Sequence, residues 1–226
     1  TKSLYDGILR FFLKWGSYMF AFYTIACIAL LAALSPGPDF VIIAKHGISS
    51  SRRNAVMASF GIGTGILIHA TYCVLGLAVI ISQSILMFDL ITYCGALYII
   101  FLGVKSFLTR QPAPSSVHYN KQASLSSAAA FRSGLLTNVL NPKCTLFMLS
   151  IFTLVVTPGT SLFIQIIYGI EIAFITTAWF ITLSYALTLP RFREKIGRIQ
   201  RIVPKLMGGI LVLLGLVVIF ERVDFV

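Results

Sequence analysis

Hydrophobic positions along this chain fall in long blocks rather than in alternating or amphipathic patterns. Stretches 18–44, 55–81, 85–104, 133–156, 161–189 and 202–220 are apolar over nearly their whole length. A membrane-crossing helix needs about 20 predominantly apolar residues. The pattern therefore predicts an all-α integral membrane protein of about six transmembrane helices. Two separators carry turn chemistry, Ser82-Gln83-Ser84 and Thr157-Pro158-Gly159-Thr160. The sixth block has the shortest uncharged part, because Lys205 lies near its start.

Residues 1–16 differ from the blocks that follow. Leu4, Ile8, Phe11, Phe12 and Trp15 recur at helical spacing against Lys2, Asp6, Arg10 and Lys14. That spacing fits an amphipathic extension lying on the membrane surface. Residues 17–226 then read as a single transmembrane domain. A linker at 109–130, with Gln111-Pro112-Ala113-Pro114-Ser115-Ser116 at its centre, separates halves 17–108 and 131–222. Three helices per half require any internal repeat to be inverted. Each half opens with a proline-broken helix and closes with a glycine-bearing one. The first apolar run is longer than a signal-peptide core, so no cleavable leader is expected.

Charge gives the blocks an orientation. Loop one carries Lys45, Arg52 and Arg53; loop three carries Lys105, Arg110, Lys121 and Arg132. Loop five carries Arg191, Arg193, Lys195, Arg198, Arg201 and Lys205 against Glu194, while loops two and four carry no charge. The positive-inside rule makes the basic loops cytoplasmic and puts both termini outside. The basic residues before position 16 run against this, but the loops are mutually consistent.

Composition narrows the function classes. Of 226 residues, 58% are hydrophobic and 11% charged, with a mean hydropathy of +0.91. Soluble domains carry about 25% charged residues, so no separate soluble domain is expected. The net charge of +11 sits in short loops. Topology and anionic lipid account for it better than nucleic acid does. Cys27, Cys73, Cys94 and Cys144 lie inside apolar runs without CxxC spacing, which fits buried packing residues.

The chemistry concentrates at two interruptions. In Ser35-Pro36-Gly37-Pro38-Asp39, two prolines remove backbone donors and should break the first helix. The carbonyls of Ala32 and Leu34 would lose their helical partners. In hydrocarbon, such groups must line a cavity or meet protein. Asp39 then stands at the start of a new helix within the membrane, where ionisable residues are functional by default. Asn138 and Asn141-Pro142-Lys143 repeat the design in the fourth block. Pro142 frees the carbonyl of Asn138, and Lys143 opposes the helix dipole there, calling for an acid or an anionic ligand nearby. Counting along the helices puts both breaks roughly 10–15 Å from the cytoplasmic interface, so Asp39 and Lys143 can meet. Pro36, Gly37, Pro38, Asp39, Asn138, Asn141, Pro142 and Lys143 are the candidate substrate-binding residues. Glu171 and His69 lie near mid-bilayer and are the candidates for proton coupling. Gly61 and Gly65 share a face with His69 and suit close helix packing. Structural alternatives stand beside these: a kink with Asp39 as a capping acid, a snorkelling Lys143, a hydrogen-bonded packing His69, and a protonated, hydrogen-bonded Glu171.

These residues resemble the LysE/RhtB family of bacterial amino-acid exporters. The likeness runs through Leu34-Ser35-Pro36-Gly37-Pro38-Asp39-Phe40, Ser51-Arg52-Arg53-Asn54-Ala55, Gly61-Ile62-Gly63-Thr64-Gly65, Gly95-Ala96-Leu97-Tyr98 through Leu102-Gly103, and Gly134 to Lys143. It covers about residues 18–222. Thr177-Ala178-Trp179-Phe180 is similar to the threonine-exporting branch, although Glu171 stands one turn further from the tryptophan than that branch's fifth-helix acid. The resemblance implies a secondary exporter of small neutral amino acids of the threonine and homoserine type, proton-coupled and without cofactor, in a bacterial inner membrane. Its partners would be the amino acid and membrane lipid, with a homodimer left open. Export of another small solute or a cation on the same fold is the alternative, but no metal-ligand spacing is present. An intramembrane enzyme is a third reading, and neither HExxH nor a nucleophile with an evident base occurs.

Overall fold

The apolar blocks form helices, and the interruptions between them fall where proline and glycine stand. A computed structural model describes residues 2–35, 37–108, 126–188, 205–206 and 208–220. Seven helices come first: α1 (Lys2–Leu34), α2 (Pro38–Ser49), α3 (Arg52–Gln83), α4 (Ile85–Leu108), α5 (Ser127–Val139), α6 (Pro142–Val155) and α7 (Leu162–Thr188). A shorter apolar helix, α8 (Gly208–Phe220), follows. The described residues contain no strand, as an all-α membrane protein requires.

α3, α4 and α7 are each long and apolar enough to cross a bilayer. The other two spans are broken. Tyr18–Leu34 and Pro38–Ile48 meet at 57°, and Ser127–Val139 and Pro142–Val155 meet at 61°. That gives up to five spans, with α8 as a further short helix. The expected start of the sixth block at 202 and most of the 109–130 linker lie outside the described residues. No break separates residues 2–16 from the first span, since α1 runs on from Lys2.

Local chemistry sets the helix ends. Ser51 Oγ accepts from the backbone N–H of Asn54 at 3.2 Å and starts α3; Ser126 Oγ accepts from that of Ala129 at 3.2 Å and starts α5. Pro38 and Pro142 each occupy the first turn of a half-helix, where a missing N–H does no harm. Gly159 turns the chain between α6 and α7 at φ 94°, a left-handed conformation that favours glycine.

The helix α3 runs through the middle and packs on α5, α7, α2, α6 and α4. Its contact with α5 is backbone against backbone. A Cβ added to Gly61 would overlap the carbonyl of Phe131 and the amide of Leu135, and one added to Gly134 would overlap Ala58. The same device joins α4 to α8, where a Cβ on Gly103 would lie 2.6 Å from the carbonyl of Gly208. Small residues are what let helices associate in lipid. Ile28, Ile43, Ile62, Ile151, Phe152 and Ile172 fill the interior, while Phe20, Leu75, Leu86, Phe163 and Phe174 point outward to where lipid tails would lie.

Candidate functional site

Both helix breaks open onto one cavity of about 80 Å³. Its wall is built from the end of α1 (Ala29, Ala32, Ala33, Ser35), the start of α2 (Gly37, Pro38, Asp39) and the α5–α6 break (Asn138, Asn141, Lys143, Cys144). Phe147, Met148, Ile172 and Phe180 supply apolar surface, and Leu102, Ser106 and Leu211 close it from α4 and α8. A repeat that inverts one half would carry equivalent positions to opposite depths unless they were central. The two breaks are at one level, joined by a hydrogen bond.

That bond runs from Asn138 Nδ2 to Asp39 Oδ2 at 2.9 Å. The other carboxylate oxygen of Asp39, Oδ1, is buried and has no partner. Lys143 Nζ donates to Ser35 Oγ at 3.3 Å, so each break holds the charged or polar side chain of the other. No direct Asp39–Lys143 ion pair forms among the described residues. Their opposite charges attract across the cavity instead. The sequence expectation that the two would meet is thus met at the level of the cavity and not at contact distance. Each stands at the second position of its helix after a first-turn proline, Pro38-Asp39 in α2 and Pro142-Lys143 in α6.

The freed backbone groups find partners. The Asn138 carbonyl, which Pro142 leaves without a helical donor, accepts from the Asn141 N–H at 3.0 Å and from His69 Nε2 at 3.1 Å. His69 Nδ1 faces the Tyr72 hydroxyl. Nε2 thus carries the hydrogen, and Nδ1 accepts from Tyr72. Asn141 Oδ1 accepts from the Lys143 N–H at 3.1 Å. The first break differs from expectation in one respect. The Ala32 carbonyl keeps a partner, because the Ser35 N–H turns back to it at 3.2 Å. The last turn of α1 tightens before it ends.

Of the residues singled out from sequence, Gly37, Pro38, Asp39, Asn138, Asn141 and Lys143 line the cavity. Pro142 starts α6 but does not line it, and Pro36 lies outside the described residues. The stripe Gly61, Gly65 and His69 faces α5: Gly61 abuts its backbone, Gly65 packs against the Asn138 side chain, and His69 bonds to its carbonyl. Glu171 is off the cavity wall. It is buried with neither carboxylate oxygen partnered, one turn from the equally unpartnered Tyr168 hydroxyl. Sequence reasoning missed Thr176, Cys144 and the apolar wall. Cys144 Sγ lies 3.5 Å from Asn138 Nδ2. Among the described residues, no group of three or more His, Cys, Asp or Glu could hold a metal ion.

Comparison with known proteins fits this geometry. The sequence matches the LysE type translocator family over residues 30–222. It is 31% identical to a threonine efflux protein of Salmonella typhimurium over 90% of this chain and all of the relative. Identity to a threonine efflux protein of Escherichia coli is also 31%, over 89% of this chain and 98% of the relative. An uncharacterized membrane protein of Bacillus subtilis is 28% identical over 84% of this chain. No solved structure matches.

Proposed function

The chain belongs to the family of LysE type translocators, and from that premise we propose that it is a secondary exporter of small neutral amino acids of the threonine and homoserine type. One observation carries the reading: an unpartnered carboxylate oxygen of Asp39 and the ammonium of Lys143 share a cavity formed by two helix breaks. An amino acid brings an ammonium and a carboxylate. Asp39 Oδ1 receives the first, and Lys143 receives the second, displacing its bond to Ser35. Each charge within the span then gains a counter-charge instead of standing alone. The half-helix start at α6 adds its positive dipole end on the carboxylate side. Size agrees: at about 10–15 Å³ per water-sized group, the cavity takes on the order of six such groups, the scale of a small amino acid. The names of the threonine efflux relatives point to the same substrates.

Glu171 supports proton coupling. A carboxyl within a span with no partner for either oxygen is the kind of group that proton relays use. The two ring nitrogens of His69 are both engaged, which favours a structural part for it, holding the α5–α6 break. The positive-inside orientation and a bacterial cytoplasmic membrane belong to the same reading.

Right-side-out membrane vesicles loaded with labelled threonine, homoserine, lysine or choline test it. Threonine and homoserine should leave faster than from vesicles lacking the protein, lysine and choline should not, and a protonophore should slow the loss. Glu171→Gln should remove the protonophore effect. Faster release of choline alone would replace the amino-acid reading with export of another solute.

A further inference from the structure

The cavity wall carries three hydroxyls, and they are not equivalent. Ser35 accepts from Lys143, and Ser106 is engaged. Thr176, in α7, is 7% exposed and lines the cavity, and among the described residues its hydroxyl makes no hydrogen bond. Thr137 and Thr177 share that lack among the described residues, but neither lines the cavity. Elsewhere in the spans Thr64, Thr71, Thr92, Ser150, Thr182 and Ser184 all turn their hydroxyls back onto the carbonyl four residues earlier. Such back-bonding satisfies the group where no water is available. The Thr176 hydroxyl is not fully enclosed but meets the cavity space, and an apolar group filling that space would leave it without a partner.

Its neighbours on the wall sharpen the point. Ile172 and Phe180, one turn to either side of Thr176 on α7, also line the cavity. The α7 wall is therefore apolar with a single hydroxyl in the middle. The polar and charged groups that suit an amino acid's head come from the two breaks. The α7 wall is left for its side chain.

Resting on the amino-acid reading above, we propose that Thr176 is the specificity residue that selects a hydroxyl-bearing side chain: its Oγ1 hydrogen-bonds the substrate hydroxyl, and the same site disfavours an apolar side chain of equal shape. Binding the apolar analogue leaves Thr176 unsatisfied and strips the substrate of nothing in return, so discrimination comes from the protein's own unpaired group. A single neutral hydrogen bond supports a preference of about tenfold.

Threonine and valine make the test, because they differ only by hydroxyl against methyl. Efflux of each from loaded vesicles is measured for the wild type, Thr176→Val, Thr176→Ala and Thr176→Ser, normalised to protein in the membrane. The wild type should favour threonine about tenfold. Thr176→Val should bring the ratio near one by raising the threonine KM while leaving its maximal rate close to wild type, and Thr176→Ser should keep the preference. If Thr176→Val does not accumulate, Thr176→Ala reads the same ratio. A wild type without preference for threonine, or a preference unchanged in Thr176→Val or Thr176→Ala, would overturn the assignment while leaving amino-acid export standing. Efflux of neither amino acid by the wild type would overturn both.

Discussion

Asp39 and Lys143 do different work from a buried ion pair. Each has its own neutral partner, Asn138 and Ser35, and in the proposed function the space between them takes the ligand. Removing one charge leaves the other without its long-range counterpart inside the membrane. Asp39→Asn or Lys143→Met alone should therefore lower membrane abundance and abolish efflux. The double mutant should accumulate better than either single one and still not transport, which a double-mutant cycle on abundance and efflux measures. Strict additivity in abundance would show that the two charges do not sense each other, and transport by the double mutant would remove both from the site. These two residues were legible in the sequence because charge is rare within spans and each follows a proline that starts a half-helix. Thr176 was not. Hydroxyls are common in these spans, and α7 is apolar all round, so periodicity gives no inward face; only its place on the cavity wall, without a back-bond, distinguishes it.

At the scale of elements, the cavity exists because four half-helices end where their neighbours can satisfy them. Pro142 frees the Asn138 carbonyl, and His69 reaches it from α3. That delivery depends on how closely α3 and α5 approach, which Gly61 and Gly134 set. A side chain at Gly61 would meet backbone atoms of α5, which cannot rotate away. Gly61→Val should then cost about 3 kcal/mol or more, seen as loss of folded protein in the membrane and of the α5–α6 geometry with it. Gly76 lies on the same helix with nothing within 4 Å of an added Cβ. Gly76→Ala should be tolerated, gaining about 0.5–1 kcal/mol of helix stability. Equal loss from both would detach the effect from the α3–α5 contact. The breaks and the glycine stripe were readable from residue type alone. The exact ends were not: the fourth block begins at Ser127 in the fold, six residues before the apolar run suggested, because Ser126 caps it within a small, polar stretch that carries little hydrophobic signal.

At the scale of the whole molecule, orientation decides which compartment the cavity serves. The α4 residues on its wall, Leu102 and Ser106, belong to the end of α4 that leads into the basic third loop, and Leu211 lies near the start of α8, which follows the basic fifth loop. Under the positive-inside rule both ends adjoin the cytoplasm. The same rule puts the turn at Gly159, with no charge in the loop around it, on the far side. In that orientation the cavity lies in the cytoplasmic half, as the proposed export requires. Single cysteines test this in a background lacking Cys27, Cys73, Cys94 and Cys144. In intact cells a membrane-impermeant thiol reagent should label Pro158→Cys and leave Ala128→Cys and Ser106→Cys unlabelled. In inverted vesicles the pattern should reverse, and threonine should slow labelling of Ser106→Cys while sparing the exposed Ala128→Cys. Labelling of Ala128→Cys in intact cells would turn the molecule over, and the cavity would then face the wrong compartment for export.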